Sequence, residues 1–289
     1  MSKNSTAETV GDLVRAYLAE QTTVILDAEA ALRDRGPVIH DTRVACRRLR
    51  STLRTYPEVV DAERAAALND ELVWFAGLLG AVRDLEVLEE RLLADLAELP
   101  AELVVGPVAA QIQTELATRK SAAWDAVIEA LDTGRCRSLL AELHLWRADP
   151  PLTEAAQAPG NKAKSYVKRA NKKLTKRLNR AIDAQLAGVP EADVLLHSAR
   201  KAGKRARYAA ELATPVLGAK AEKVISGRKE LQDVLGEHQD SIVAAAFLRS
   251  EGVRLGIRSG HNGFTYGLLY GRELARQSAI GEQLGPFLS

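Results

Sequence analysis

At 289 residues the chain is long enough for two compact units or one large duplicated one, and for a core that needs no disulfide or metal staple. The composition, 46% hydrophobic and 27% charged, is globular, and 40 Lys plus Arg nearly cancel 38 Asp plus Glu, so net charge selects no partner and electrostatic arguments have to be local. Two cysteines, Cys46 and Cys136, lie far apart without companions at metal-ligand spacing, which argues against a disulfide scaffold and a cysteine zinc site and for a reducing compartment.

In chain order, Met1 to Asp12 is polar and has no apolar core of the kind a secretory signal needs. Beyond it nearly every segment is rich in Ala, Leu, Glu, Arg and Lys with a 3.6-residue apolar period, and period-two runs are few; the expectation is an all-α protein. Breakers at Gly36-Pro37, Pro57, Gly80, Pro100, Gly106-Pro107, Gly134, Pro150-Pro151, Pro159-Gly160, Gly188 to Pro190, Pro215, Gly236 and the stretch from Gly252 to Gly263 divide it into about ten helices. The most apolar window, Leu72 to Val82, is too short to cross a bilayer and is bracketed by Asp70, Glu71, Arg83 and Asp84, so a soluble, cytoplasmic protein without a membrane partner is expected. Ala148 to Asn161, with Pro150, Pro151, Pro159 and Gly160, reads as a linker. It separates an N-terminal helical half, 1–147, from a C-terminal helical half, 162–289. Gly260, Gly263, Gly267 and Gly271 suggest close helix approach, within or between chains, and leave the oligomeric state open.

The two halves share sequence. His40-Asp41-Thr42-Arg43-Val44-Ala45-Cys46-Arg47-Arg48-Leu49-Arg50 aligns with His197-Ser198-Ala199-Arg200-Lys201-Ala202-Gly203-Lys204-Arg205-Ala206-Arg207 at an offset of 157. Leu79-Gly80-Ala81-Val82-Arg83-Asp84 aligns with Leu235-Gly236-Glu237-His238-Gln239-Asp240 at an offset of 156. Two matches at nearly one offset point to a duplication, and a period this long implies two helical bundles rather than a solenoid.

The aligned segments are basic helices. His40, Arg43, Arg47, Arg50 and Arg54 share an arc of about 80° on one face, opposite Ala45, Cys46, Leu49 and Leu53. His197, Arg200, Lys204 and Arg207 repeat the spacing, with Lys201, Arg205 and Tyr208 beside them and Ala199, Ala202 and Ala206 on the buried side. Each stripe runs about 15 to 20 Å. Solvated helix faces usually interleave acids at i, i+4, whereas here like charges sit at those spacings and repel. Either an acidic neighbouring helix, since Glu58 to Glu102 is rich in carboxylates, or a bound polyanion supplies the missing charge, and the recurrence favours the polyanion. A third basic stretch, Lys162 to Arg180, includes Lys172 and Lys176 and has Val167, Leu174, Leu178 and Ile182 on its apolar side.

His144, His238 and His261 read as packing residues. His40 and His197 open the two stripes, where neighbouring cations disfavour a metal and an anionic oxygen suits an imidazolium donor. Gly80 and Gly236 read as helix C-caps, with Asp84 and Asp240 as N-caps or partners for arginines. Arg83 and Arg48 are further candidates for contact with an anion. No nucleotide-phosphate loop, nucleophile elbow or His-Glu-x-x-His motif occurs, and the stripes lack the metal-holding carboxylates of phosphoryl transfer, so neither catalytic residue, metal nor cofactor is expected.

His-x2-Arg-x3-Arg-Arg-Leu-Arg (His40 to Arg50), Leu-His-x2-Arg-Lys-x2-Lys-Arg-x-Arg-Tyr (Leu196 to Tyr208), Leu-Gly-x2-Arg-Asp (Leu79 to Asp84) and Leu-Gln-Asp-Val-Leu-Gly-Glu-His-x-Asp (Leu231 to Asp240) strongly resemble the CHAD family, the conserved histidine α-helical domains. The resemblance spans about residues 5 to 285, leaving no room within the chain for the triphosphate-tunnel domain that often accompanies the family. It implies two helical bundles related by a pseudo-two-fold axis around a central basic cavity, and non-catalytic binding of inorganic polyphosphate in the cytoplasm, at polyphosphate granules. The ligand-facing set carried over is His40, Arg43, Arg47, Arg50 and Arg54 with His197, Arg200, Lys201, Lys204 and Arg207; Arg48, Arg83, Lys172, Lys176, Arg205 and Tyr208 form a second tier. Arg54 aligns with Glu211, a departure at the outer end of the second stripe. The rival readings are a nucleic-acid-binding protein, disfavoured because aromatics are 4% of the chain and only Tyr208 lies on a basic stripe, and an enzyme that makes or cuts polyphosphate.

Overall fold

Alanine, leucine and straight-chain charged residues lose little side-chain freedom in a helix, and they dominate this chain. The structure, a computed structural model describing residues 9–257 and 262–287, has no β-strand among the described residues beyond isolated bridges. The eleven α-helices among the described residues are α1 (Val10–Asp27), α2 (Glu29–Arg33), α3 (Ile39–Thr55), α4 (Ala62–Ala97), α5 (Val108–Leu131), α6 (Gly134–Ala148), α7 (Ala163–Leu186), α8 (Ala192–Leu217), α9 (Ala219–Gly256), α10 (Phe264–Ser278) and α11 (Ile280–Leu284). Local chemistry sets several starts: Thr9 and Asp12 form a reciprocal capping box on α1, and the Asp61 side chain accepts from the Arg64 amide at the head of α4.

The helices take neighbours in the same order in both halves. Helix α1 packs on α3, α3 on α4 and α4 on α5, while α7 packs on α8, α8 on α9 and α9 on α10. The halves meet where α3 lies against α8 and α4 against α9. Both cores draw on both halves. One joins Leu49, Leu72 and Phe75 to Leu174, Ala206 and Leu235, and the other joins Leu92 and Ile112 to Phe247 and Leu269. The apolar faces read from the spacing are the buried ones: Ala45, Cys46, Leu49 and Leu53 on α3, Ala199, Ala202 and Ala206 on α8, and Val167, Leu174, Leu178 and Ile182 on α7. Cys46 and Cys136 are buried free thiols.

Several sequence expectations change. Gly80 and Gly236 cap nothing; they lie inside the two longest helices, α4 and α9, so Asp84 and Asp240 are mid-helix residues and not N-caps. Pro215 sits in the last turn of α8 without dividing it. The stretch 148–161 is no loose tether. It bonds back to the first half through Val10 N to Ala158 O (2.8 Å), Asp61 N to Pro151 O (2.8 Å) and Thr153 N to Val59 O (3.0 Å). Ala156 is buried against Gly11, where an added Cβ would lie 2.9 Å from the Ala156 Cβ. Close helix approach occurs at Gly263, whose Cβ would meet the Gly252 carbonyl oxygen at 2.8 Å, but not at Gly267 or Gly271, which have nothing within 4 Å. Gly260 and His261 lie outside the described residues. Among the described residues α4 alone is long and apolar enough to cross a bilayer, yet its Leu72, Phe75, Leu79 and Val82 are buried in the protein core.

Candidate functional site

With their apolar faces fixed inward, α3 and α8 have no choice about where their basic faces go, and the α3–α8 contact brings the two rows together. Tyr56 OH donates to the Ala209 carbonyl (3.3 Å), and Arg48 Nε donates to Glu211 Oε2 (2.9 Å), across this seam. Lys204 of α8 feels Arg43 and Arg47 of α3 as well as Arg200 of its own helix. Burial, reinforced by those three guanidinium groups and opposed only by Asp240, lowers the Lys204 ammonium from an ordinary 10.5 to about 7. The same causes, burial first, lower Arg200; Arg50 is lowered by burial and by Arg54.

Two arginines are seated in the same way. The Arg43 guanidinium lies on the backbone of α4 at Gly80, where a Cβ would come 3.4 Å from its Nε, and Arg43 Nη1 bonds Asp84 Oδ1 at 2.7 Å. The Arg200 guanidinium lies on α9 at Gly236, 3.8 Å from the position of a Cβ, and feels the Asp240 carboxylate without closing to an ion pair. Glycine followed four residues later by aspartate is therefore a platform for an arginine from the preceding basic helix. His197 Nδ1 donates to Gln239 Oε1 at 2.8 Å, one residue before Asp240, and burial together with Lys201, Arg200 and Lys204 lowers its pKa. His40 is exposed at the head of α3.

What sets this cluster apart is the acid it lacks. Elsewhere the chain pairs many of its arginines, among them Arg91 with Glu237 and Glu273, Arg276 with Asp95, Arg33 with Asp132 and Arg135 with Glu71. In the cluster, Arg47, Arg50 and Arg200 are only partly exposed, and each has a buried Nε with no hydrogen-bond partner. Among the described residues no carboxylate stands within ion-pair distance of Arg47, Arg50, Arg200 or Lys204. An unpaired buried donor costs about 1 to 3 kcal/mol, more when charged, so the arrangement stores a demand for negative charge.

Other candidates from the sequence are placed differently. Arg207 pairs with Glu211 (3.2 Å), which also holds Arg48 and accepts from Tyr17 OH (3.0 Å). The Arg54-to-Glu211 departure thus places the protein's own carboxylate at the outer end of the second stripe, beside Arg207 of the ligand-facing set and Arg48 of the second tier, although Arg207 Nε makes no hydrogen bond there. Tyr208 is 2% exposed beneath Arg48 and Arg207 and is a packing residue, so the basic stripes offer no ring to a nucleobase. Arg83 is held along its own helix by Glu86 (2.9 Å) and Glu90 (3.6 Å). Lys201 on α8 and Lys172 and Lys176 on α7 are exposed. Arg54 and Arg205 line a pocket together with Arg169 and Lys173 of α7, two residues of the third basic stretch that the sequence did not single out. His238 packs as expected, bonding Asp193 Oδ1 through Nε2 at 2.9 Å. The described residues contain no group of three or more His, Cys, Asp or Glu able to hold a metal ion.

Comparison with known proteins agrees with this architecture. The model of the family described as the CHAD domain matches residues 16–249. Two curated relatives, the uncharacterized proteins MT2285 and Rv2226 of Mycobacterium tuberculosis strains CDC 1551 / Oshkosh and ATCC 25618 / H37Rv, are each 32% identical over 279 residues. The match takes in 94% of this chain and 52% of each relative, so the chain spans about half their length. Among solved structures, PptA from Streptomyces chartreusis superposes with a TM-score of 0.78 at 21% identity, covering 97% of this chain and 99% of that one. The CHAD domain from the plant Ricinus communis gives 0.72 at 23% identity, covering 96% and 91%.

Proposed function

The chain belongs to the CHAD domain family, and from that premise we propose that it binds inorganic polyphosphate, without catalysis, along the cations that α3 and α8 bring together. The observation that carries this reading is the set Arg47, Arg50, Arg200 and Lys204, half-buried, drawn together from two helices and lacking acidic partners within ion-pair distance. Polyphosphate is a flexible string with about one charge per phosphate and no base to stack or edge to read, so recognition rests on charge density and width. Guanidinium forks donate to pairs of phosphate oxygens, and a row of them lets a uniform chain exchange one contact for the next. Arg43 and Arg200, seated on Gly80 and Gly236, are preorganised donors, and His40 and His197 add imidazole N–H groups at the head of each row. The repeated platforms in the two halves suit a duplicated scaffold that grips one polymer from two sides.

Charge reading without stacking also favours polyphosphate over single-stranded nucleic acid, since Tyr208 is buried. A cytoplasmic location, at polyphosphate granules, goes with the reading. The test is calorimetric titration of the protein with long-chain polyphosphate, followed by competition with duplex DNA at equal phosphate concentration and by chain-length analysis after incubation with divalent metal and nucleotide. Binding that falls steeply with salt, resists DNA and leaves chain length unchanged is expected. Displacement by DNA, or a shift in chain length, would overturn the selectivity or the non-catalytic assignment respectively.

A further inference from the structure

Where α3 ends, its last turn meets α7 and α8 around a pocket of about 100 Å³. Arg54, Arg169, Lys173 and Arg205 stand around it, and Arg177 lies near enough to add its field to that of Arg54 at Arg205. One carboxylate answers them: Glu58 binds Arg169 in a two-pronged pair at 2.9 and 3.1 Å. Among the described residues Arg54, Lys173 and Arg205 have no acidic partner within ion-pair distance.

The pocket's shape and walls narrow the ligand. Tyr166 is its aromatic residue, but it is buried, in contact with Tyr56 at 4.5 Å between centroids and with the Arg169 guanidinium at 4.8 Å, and offers little ring surface to a base. A compact oxyanion fits the volume and the charge. The pocket also follows the cluster between α3 and α8 along the same two helices, through Arg54 of α3 and Arg205 of α8. Arg47, Arg50 and Arg54 follow one another on one face of α3, and the step from Arg47 to Arg54 is about 10 Å along the helix. Arg50 feels Arg54 directly.

We propose that this pocket is a second phosphate subsite, built by the end of α3 with α7 and α8, that takes a phosphate of the same polymer already lying on Arg47, Arg200 and Lys204. The inference rests on the polyphosphate reading and deepens it: two linked subsites make binding of a chain long enough to reach both effectively bivalent, whereas a short chain occupies one. The third basic stretch then has a specific task, carried by Lys173 and Arg169 rather than by the outward-facing Lys172 and Lys176.

Lys173 is exposed and outside the cluster, so Lys173→Ala and Lys173→Glu are expected to fold, with circular dichroism as the check. Each variant and the wild type are titrated calorimetrically with triphosphate and with long-chain polyphosphate. Lys173→Glu is expected to weaken long-chain binding by about tenfold or more, with Lys173→Ala intermediate. Triphosphate affinity should move by less than about twofold, because the cluster lies about a Debye length away. Equal losses for both ligands would reduce Lys173 to a long-range field and overturn the subsite, as would no loss for either. A wild type that binds neither ligand would remove the polyphosphate function and the subsite with it, a result separate from a wild type that binds long chains indifferently to Lys173.

Discussion

Lys204, in the proposed binding cluster, is kept charged only at a cost to the fold. Burial beside Arg200, Arg47 and Arg43 lowers its ammonium to about 7, so between that value and its ordinary 10.5 the unfolded chain holds a proton that the folded chain has lost. The penalty on folding is full below about pH 7 and is relieved as pH rises toward 10.5. Replacing the ammonium by an apolar side chain of similar length, Lys204→Met, is therefore expected to stabilise the free protein by about 1 kcal/mol, read as a higher Tm at neutral pH, while weakening polyphosphate binding. A bound phosphate reverses the balance, because it favours the charged forms of Lys204 and of His197, both of which are held down in the free protein. Polyphosphate should thus bind more tightly at about pH 6 than at about pH 8, with proton uptake measurable by calorimetry in buffers of different ionisation heat. These positions are legible in the sequence because spacings of 3 and 4 put them on one face. What the sequence could not show is which of them the protein neutralises itself. Glu211 looks like a simple mismatch to Arg54, and only the fold reveals that it reaches Arg48 on another helix.

At the level of the helix, glycine was the misleading signal. Read locally, Gly80 and Gly236 end helices, since glycine costs about 1 kcal/mol relative to alanine in a helix interior. In the fold they sit mid-helix, at the points where Arg43 and Arg200 lie on α4 and α9. Tertiary contact overrides propensity there, and the available clue was the recurrence of Gly and Asp four residues apart behind both basic helices. The two sites should answer substitution differently. At Gly236 a methyl group would meet Arg200 at 3.8 Å, an ordinary contact, so Gly236→Ala is expected to recover about 0.5 to 1 kcal/mol of helix stability in urea denaturation. At Gly80 the approach to Arg43 is 3.4 Å, so Gly80→Ala should gain less or nothing. The core faces of α3, α7 and α8 were read correctly because an amphipathic stripe needs only the chain's own periodicity.

Across the whole molecule, the two halves are one folded body with shared cores, which the Pro-rich stretch 148–161 obscured in the sequence by its composition. Beside the cation cluster, where Asp240 feels Arg91 and Glu237 as well as Arg200 and Lys204, the halves are also locked by charge. Glu273 of α10 is fully buried between Arg91 (2.7 Å) and Arg276 (3.0 Å), and Arg276 continues to Asp95 (2.6 Å). Glu273→Gln leaves those guanidinium groups undercompensated and is expected to destabilise the fold by about 3 kcal/mol, read by urea denaturation. The hydrogen bonds from Arg91 hold the Glu237 carboxyl below its ordinary range. Its contribution is present above that range and is lost as pH falls through its lowered pKa, so acid should loosen this end of the molecule.

The same molecule therefore contains a cation network closed by its own acids and another left open. Whether the open one is the binding surface is tested most directly by charge reversal on both helices at once, Arg47→Glu with Lys204→Glu, titrated against long-chain polyphosphate beside the wild type. With helicity retained, the double variant is expected to lose affinity by about a hundredfold or more. Wild-type affinity in that folded variant would contradict the account.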